Sequence, residues 1–133
     1  MFALLEGFKS FFLLSIGAIA GCWIRMHLTS FFGSIFSAKY WGTLLVNIFA
    51  TFFLGLFIAL QSHSGFTSVS DTSPLFIFIC VGFLGSLSTF STFILELLDI
   101  LLDRRWKVFL PLSLCSLFGG FLAALAGLTL GNV

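Results

Sequence analysis

Charge is what this sequence has least of. Only 8% of its 133 residues are Asp, Glu, Lys or Arg, against about 25% in soluble domains. There is no basic tract, and the formal net charge is +1, which excludes binding to a phosphate backbone and leaves no nucleic-acid partner. Prolines number two and cysteines three. Cys22, Cys80 and Cys115 are odd in number, scattered, and without metal-ligand spacing, so buried free thiols are the reading they support. His27 and His63 read as surface histidines. Neither an ATP-binding motif nor a nucleophile triad is found, and an enzyme is not expected. The start does not read as a cleaved signal peptide, because Glu6 interrupts the n-region. Polar sequence is confined to one extended link, Gln61–Ser73.

What fills the chain instead is apolar. Hydrophobic residues make up 59%, Phe alone numbers 20, and the mean hydropathy is +1.19. Such a surface belongs in lipid, so a soluble enzyme and a disordered segment are both excluded. Uncharged stretches separate the eleven charges, and a spanning helix needs about 20 apolar residues. The expectation is a single all-α membrane domain over residues 1–133. Four spans are predicted, near Phe11–Leu28, Trp41–Leu60, Pro74–Leu102 and Val108–Leu130. Gly33 and Ser34 are the expected breakers between the first two, and Asp103–Lys107 is a tight turn between the last two. Trp23, Trp41 and Trp106 fall near the expected span ends, where indoles favour the interface. Lys9 stands alone on one side. Lys39, Arg104, Arg105 and Lys107 occupy the other, with Arg25 if it reaches the interface, so the positive-inside rule places both termini outside.

Polar residues within spans carry the functional signal, because polar groups in hydrocarbon face protein or water. In the first span Gly17 and Gly21 form a small-xxx-small surface for close helix packing. Arg25, four residues on, is either a snorkelling end residue or a vestibule charge that attracts anions. In the second, Asn47 is either an interhelical hydrogen-bonding group or an amide that replaces water around an ion. The third span holds GFLGSLSTFSTF at Gly82–Phe93. Its glycines and hydroxyl residues are poor continuous-helix formers, so a broken helix is expected there. Freed backbone groups then need protein, water or an ion, and broken helices with free carbonyls recur as Na⁺ sites. Phe90 and Phe93, spaced i, i+3, face one way; they are core packing or positively edged rings turned to an anion.

GAIAG followed by Arg25, GTLLVN at Gly42–Asn47, and GFLGSLSTFSTF followed by Glu96 together resemble the Fluc/CrcB fluoride channels over essentially the whole chain. The resemblance implies small four-helix subunits of a bacterial-type plasma membrane that pair antiparallel and export fluoride passively through two narrow pores. It implies a structural Na⁺ held by the backbone carbonyls of Gly85 and Ser88. It makes Phe90 and Phe93 an aromatic box, Asn47 a pore amide, Ser91, Thr92 and Ser116 a hydroxyl track, and Arg25 a vestibule residue. Departures are Ser88 for the usual Thr, Ser86 and Ala50 for usual glycines, and Leu112 where a pore tyrosine is often found. The partner is an identical chain or a paired homologous one. The competing readings are a proton-coupled small multidrug-type transporter, which would need a carboxylate inside the first span, and a non-transporting membrane assembly subunit.

Overall fold

The computed structural model describes residues 2–36, 38–63 and 73–132. Among them the regular structure is entirely helical, with no strand. Four helical spans are long and apolar enough to cross a membrane.

The first helix, Phe2–Ile35, starts and ends well beyond the predicted Phe11–Leu28. At 1.5 Å per residue it is about 50 Å long, against about 30 Å of hydrocarbon. Gly33 and Ser34 do not break it. A glycine inside a helix costs only about 1 kcal/mol, less than leaving backbone groups unpaired near lipid, and the Ser34 hydroxyl bonds back to the Phe31 carbonyl. One reading changes with this. Trp23 is not near a helix end but exposed within the helix, its ring 4.6 Å from that of His27, which is exposed as a surface histidine is.

The second helix, Lys39–His63, runs three residues into the predicted polar link. The rest of that link, residues 64–72, and the His63 side chain lie outside the described residues. Helical structure resumes at Pro74, where Ser73 accepts from the Phe76 amide and proline occupies the first turn, a position with no helical partner to lose.

The third span, Pro74–Leu102, is not uniform. Residues Ile77–Leu84 are wound as a π-helix. A short helical turn, Gly85–Leu87, follows. Ser88 and Thr89 are extended, with ψ of 149° and 124°, and helix resumes over Phe90–Leu102. Thr89 caps it by accepting from the Thr92 amide, as an N-cap side chain does. The turn to the last helix, Trp106–Gly131, is tight: Arg104 takes φ 54°, and Arg105 N–H closes on the Ile100 carbonyl at 3.0 Å.

Packing follows the small residues. The second and fourth helices make the most extensive contact, because Gly127 has no side chain to strike the Phe52 carbonyl. The first helix lies on the π-helical stretch, where a Cβ on Gly17 would stand 2.5 Å from the Phe78 carbonyl oxygen. Two small cores result. Leu44, Phe93, Leu97, Ile100 and Leu112 form one, and Val46, Ala50, Leu84 and Leu87 the other. Most other large apolar side chains, including Ile19, Leu117 and Phe121, are exposed, as a lipid-facing or partner-facing surface requires. Cys22 and Cys115 lie on such faces and are exposed; only Cys80 is buried. The expectation of three buried thiols is therefore corrected for two of them.

Candidate functional site

The extended pair Ser88–Thr89 leaves backbone groups without helical partners in a part of the chain surrounded by apolar side chains. Asn47, reaching across from the second helix, meets two of them. Its Nδ2 donates to the Thr89 carbonyl at 3.0 Å, and its Oδ1 accepts from the Thr89 amide at 2.8 Å. Both readings of Asn47 bear on this geometry. The amide ties two helices together, and because an NH₂ group has two hydrogens, one donor remains.

Asn47 borders a cleft of about 380 Å³. Asn47, Ser88, Phe90, Phe93 and Ser116 all line it, with Thr51, Thr89, Ser113 and Gly120. The two rings differ. Phe90 is 77% exposed, while Phe93 is 6% exposed and belongs to the core beside Leu112. Leu112 is itself fully packed at 2% exposure.

The expected hydroxyl track is divided. Ser116 shares the cleft with Asn47, whereas Thr92 lines a second cleft of about 550 Å³. Thr29, Ser30, Lys39, Thr43 and Glu96 line this second cleft as well. Thr89 connects the two, with its Oγ1 3.3 Å from Thr92 Oγ1 and 3.4 Å from Ser91 Oγ. Ser91 lines neither cleft. Nor does Arg25, whose Nη2 lies 3.1 Å from Cys22 Sγ on its own helix.

Gly85 opens the helical turn that precedes the extended pair, and Ser88 caps that turn as the first residue of the pair. A continuing helix would place the Thr89 amide on the Gly85 carbonyl and the Thr92 amide on the Ser88 carbonyl. Instead the Thr89 amide goes to Asn47 and the Thr92 amide to the Thr89 hydroxyl. Both carbonyls thus lose their helical donors, which is the oxygen chemistry a hard monovalent cation accepts. Gly85 has ordinary helical angles, φ −63° and ψ −33°. An added Cβ there would meet only the Cys80 carbonyl, at 3.6 Å. Within one chain an alanine at Gly85 therefore does not distort the turn.

Sequence reasoning passed over one polar pair. Thr43 Oγ1 donates to Glu96 Oε1 at 2.8 Å, and Glu96 Oε2 is buried without a partner among the described residues. Thr43 lies one turn before Asn47 on the same helix face and Glu96 three residues after Phe93, but their pairing joins residues 53 apart in sequence.

Residues 12–128 match the family described as CrcB-like protein, Camphor Resistance (CrcB). The chain is 45% identical over 120 residues, 90% of each chain, to a protein of Prochlorococcus marinus (strain MIT 9313) named fluoride-specific ion channel FluC 1. It is 45% identical over 119 residues, again 90% of each, to one of Synechococcus sp. (strain CC9902) with that same name. A protein of Acinetobacter baylyi named fluoride-specific ion channel FluC is 33% identical over 121 residues, 91% of this chain and 92% of its own. These relatives are named as ion channels, not enzymes.

Proposed function

The chain belongs to the CrcB-like family of multi-pass membrane channel proteins, and on that premise we propose that it conducts fluoride selectively and passively. In a bacterial plasma membrane this lowers fluoride inside the cell. One observation carries the reading: Asn47 holds the Thr89 backbone while the same cleft gathers hydroxyls and two Phe rings in mid-membrane. Fluoride is small and strongly hydrated, so a path for it needs close donors to replace water. Asn47 supplies an N–H, and Ser116 and Thr89 supply O–H groups. The edges of Phe90 and Phe93 add weakly positive hydrogens. A narrow path lined by such donors would favour the smallest halide, since selectivity follows pore diameter and lining donors. The cleft of Lys39, Thr43, Thr92 and Glu96 serves as the approach, with Thr89, Ser91 and Thr92 leading inward, and Arg25 adds positive potential nearby.

One chain leaves the Phe90 ring and most of the cleft open, so the pore is completed by a second subunit, paired antiparallel with the first. The Gly85 and Ser88 carbonyls are the groups that would hold a Na⁺ where the two extended segments meet. Such an ion supplies fixed positive charge that offsets clustered carbonyl dipoles. The partner is taken as an identical chain, since one sequence carries every group named above. The positive bias of Lys39, Arg104, Arg105 and Lys107 favours instead a homologous chain of opposite bias. Purified protein in liposomes tests the main reading. Fluoride should leave down its gradient while chloride is retained; equal chloride flux, or a strict need for a proton gradient, overturns it.

A further inference from the structure

Two hydroxyls on the Asn47 cleft have roles that neither the motifs nor the relatives' names assign. Thr51, one turn after Asn47, donates its hydrogen to the Asn47 carbonyl at 2.7 Å. Ser113, on the fourth helix, donates to the Phe109 carbonyl at 2.8 Å. Both are half-buried, and both line the cleft. Ser113 is spaced three and seven residues before Ser116 and Gly120, which puts all three on one helix face. So disposed, each hydroxyl has its hydrogen turned back to its own helix and its oxygen lone pairs toward the cleft. That orientation repels an anion.

The bonds holding them back are dispensable. A carbonyl four residues earlier in a helix already accepts the backbone amide of the same residue. Turning the O–H about the Cβ–Oγ bond therefore leaves no carbonyl unpaired and does not move the oxygen. The apolar cleft at Val46, Phe53 and Phe83 offers no comparable group, and the Thr43 hydroxyl is already committed to Glu96.

We propose that Ser113 and Thr51 are conduction residues: hydroxyls held on their own helices at rest that swing their hydrogens to a passing anion. They form a second donor wall, on the second and fourth helices, beside the Asn47 amide. The proposal rests on the fluoride reading and sets which residues carry the ion past the Phe rings.

The test is fluoride efflux from proteoliposomes, read with a fluoride electrode, with assembly checked by size exclusion. Ser113→Ala and Thr51→Val each remove one donor, and each is expected to slow flux about tenfold, the worth of one hydrogen bond to a charged group. Ser113→Thr, which keeps the hydroxyl, should restore most of the flux. Ser15→Ala removes a hydroxyl equally back-bonded, to the Phe11 carbonyl, but away from the cleft, and should leave flux unchanged. Flux within twofold of wild type in both Ser113→Ala and Thr51→Val, with assembly intact, overturns the proposal. So does failure of Ser113→Thr to recover flux while Ser113→Ala is slow, because packing and not donation is then at work. A wild-type protein that passes no fluoride overturns the channel reading itself.

Discussion

Replacing Asn47 by alanine removes both ends of the clasp on Thr89 at once. Thr89 is 9% exposed, so water does not readily take over its amide and carbonyl. Each orphaned buried group costs about 1–3 kcal/mol, whereas interhelical hydrogen bonds measured in membranes average about 0.6 kcal/mol. Two bonds thus span about 1–6 kcal/mol. Extended backbone has no neighbouring helical bond to fall back on, which places the loss near 2–4 kcal/mol. Unfolding by SDS titration, followed by the fluorescence of Trp23, Trp41 and Trp106, measures it. Asn47→Asp keeps an acceptor for the Thr89 amide at 2.8 Å but sets a carboxylate oxygen where Nδ2 donated to the Thr89 carbonyl. It should lose at least as much stability as Asn47→Ala, and its negative charge on the cleft should abolish anion flux. Asn47→Ala within about 0.5 kcal/mol of wild type would refute the reasoning, since nothing then depends on the two bonds.

Phe90→Ile should strongly reduce fluoride flux with little effect on stability, because the ring is exposed in the single chain; Phe93→Ile should reduce flux and also lose about 1–2 kcal/mol of packing in SDS titration. Gly127→Val should prevent the second and fourth helices from meeting, seen as loss of folded protein on size exclusion, because its side chain falls on the Phe52 carbonyl. Ser88→Ala should leave the proposed Na⁺ in place, read by anomalous scattering of a heavier substitute ion, since the proposed ligand is main-chain. Gly85→Ala should preserve the single-chain fold yet weaken pairing, and an unaltered dimer with its ion would contradict that. Cysteine labelling at Ser64→Cys and Arg105→Cys, from each side of the membrane, should find both sites on both sides for an antiparallel homodimer, whereas one-sided labelling of each points to a homologous partner.

The four spans were legible because hydrophobic length alone fixes them, and the family was legible from three motifs taken together. Helix ends were not. Composition marks where charge begins, but a helix continues while continuing satisfies its backbone, so Gly33 and Ser34 stay helical and the first helix reaches Ile35. The rings of Phe90 and Phe93 share a face by spacing, yet one is core and the other is exposed, because burial depends on Leu44 and Leu112 arriving from the second and fourth helices to join Leu97 and Ile100. Thr43 with Glu96, and Ser113 facing the Asn47 cleft, depend on pairings 53 residues apart or on helix rotation. No local pattern in the sequence encodes either.

The same break in the third span suits ions of both signs, for a reason that lies in the direction of the peptide chain. Where helix stops at Leu87, carbonyls point onward, and that of Gly85 has lost its helical amide; the carbonyl of extended Ser88 has lost one too. Where helix restarts at Phe90, amides point back, and those of Phe90 and Ser91 are first-turn donors with no intrahelical acceptor. The former end carries the negative pole of a short helix and the latter the positive pole. Asn47 satisfies Thr89, the residue between them, with one donor and one acceptor, so the clasp favours neither sign. The proposed cation would then be drawn to the Gly85 side and the proposed anion path to the Phe90 side. An unbroken helix would offer neither pole in mid-membrane. The extended pair Ser88–Thr89 is therefore the feature from which both the proposed structural Na⁺ and the proposed fluoride path derive, and Asn47 is what makes it tolerable in lipid.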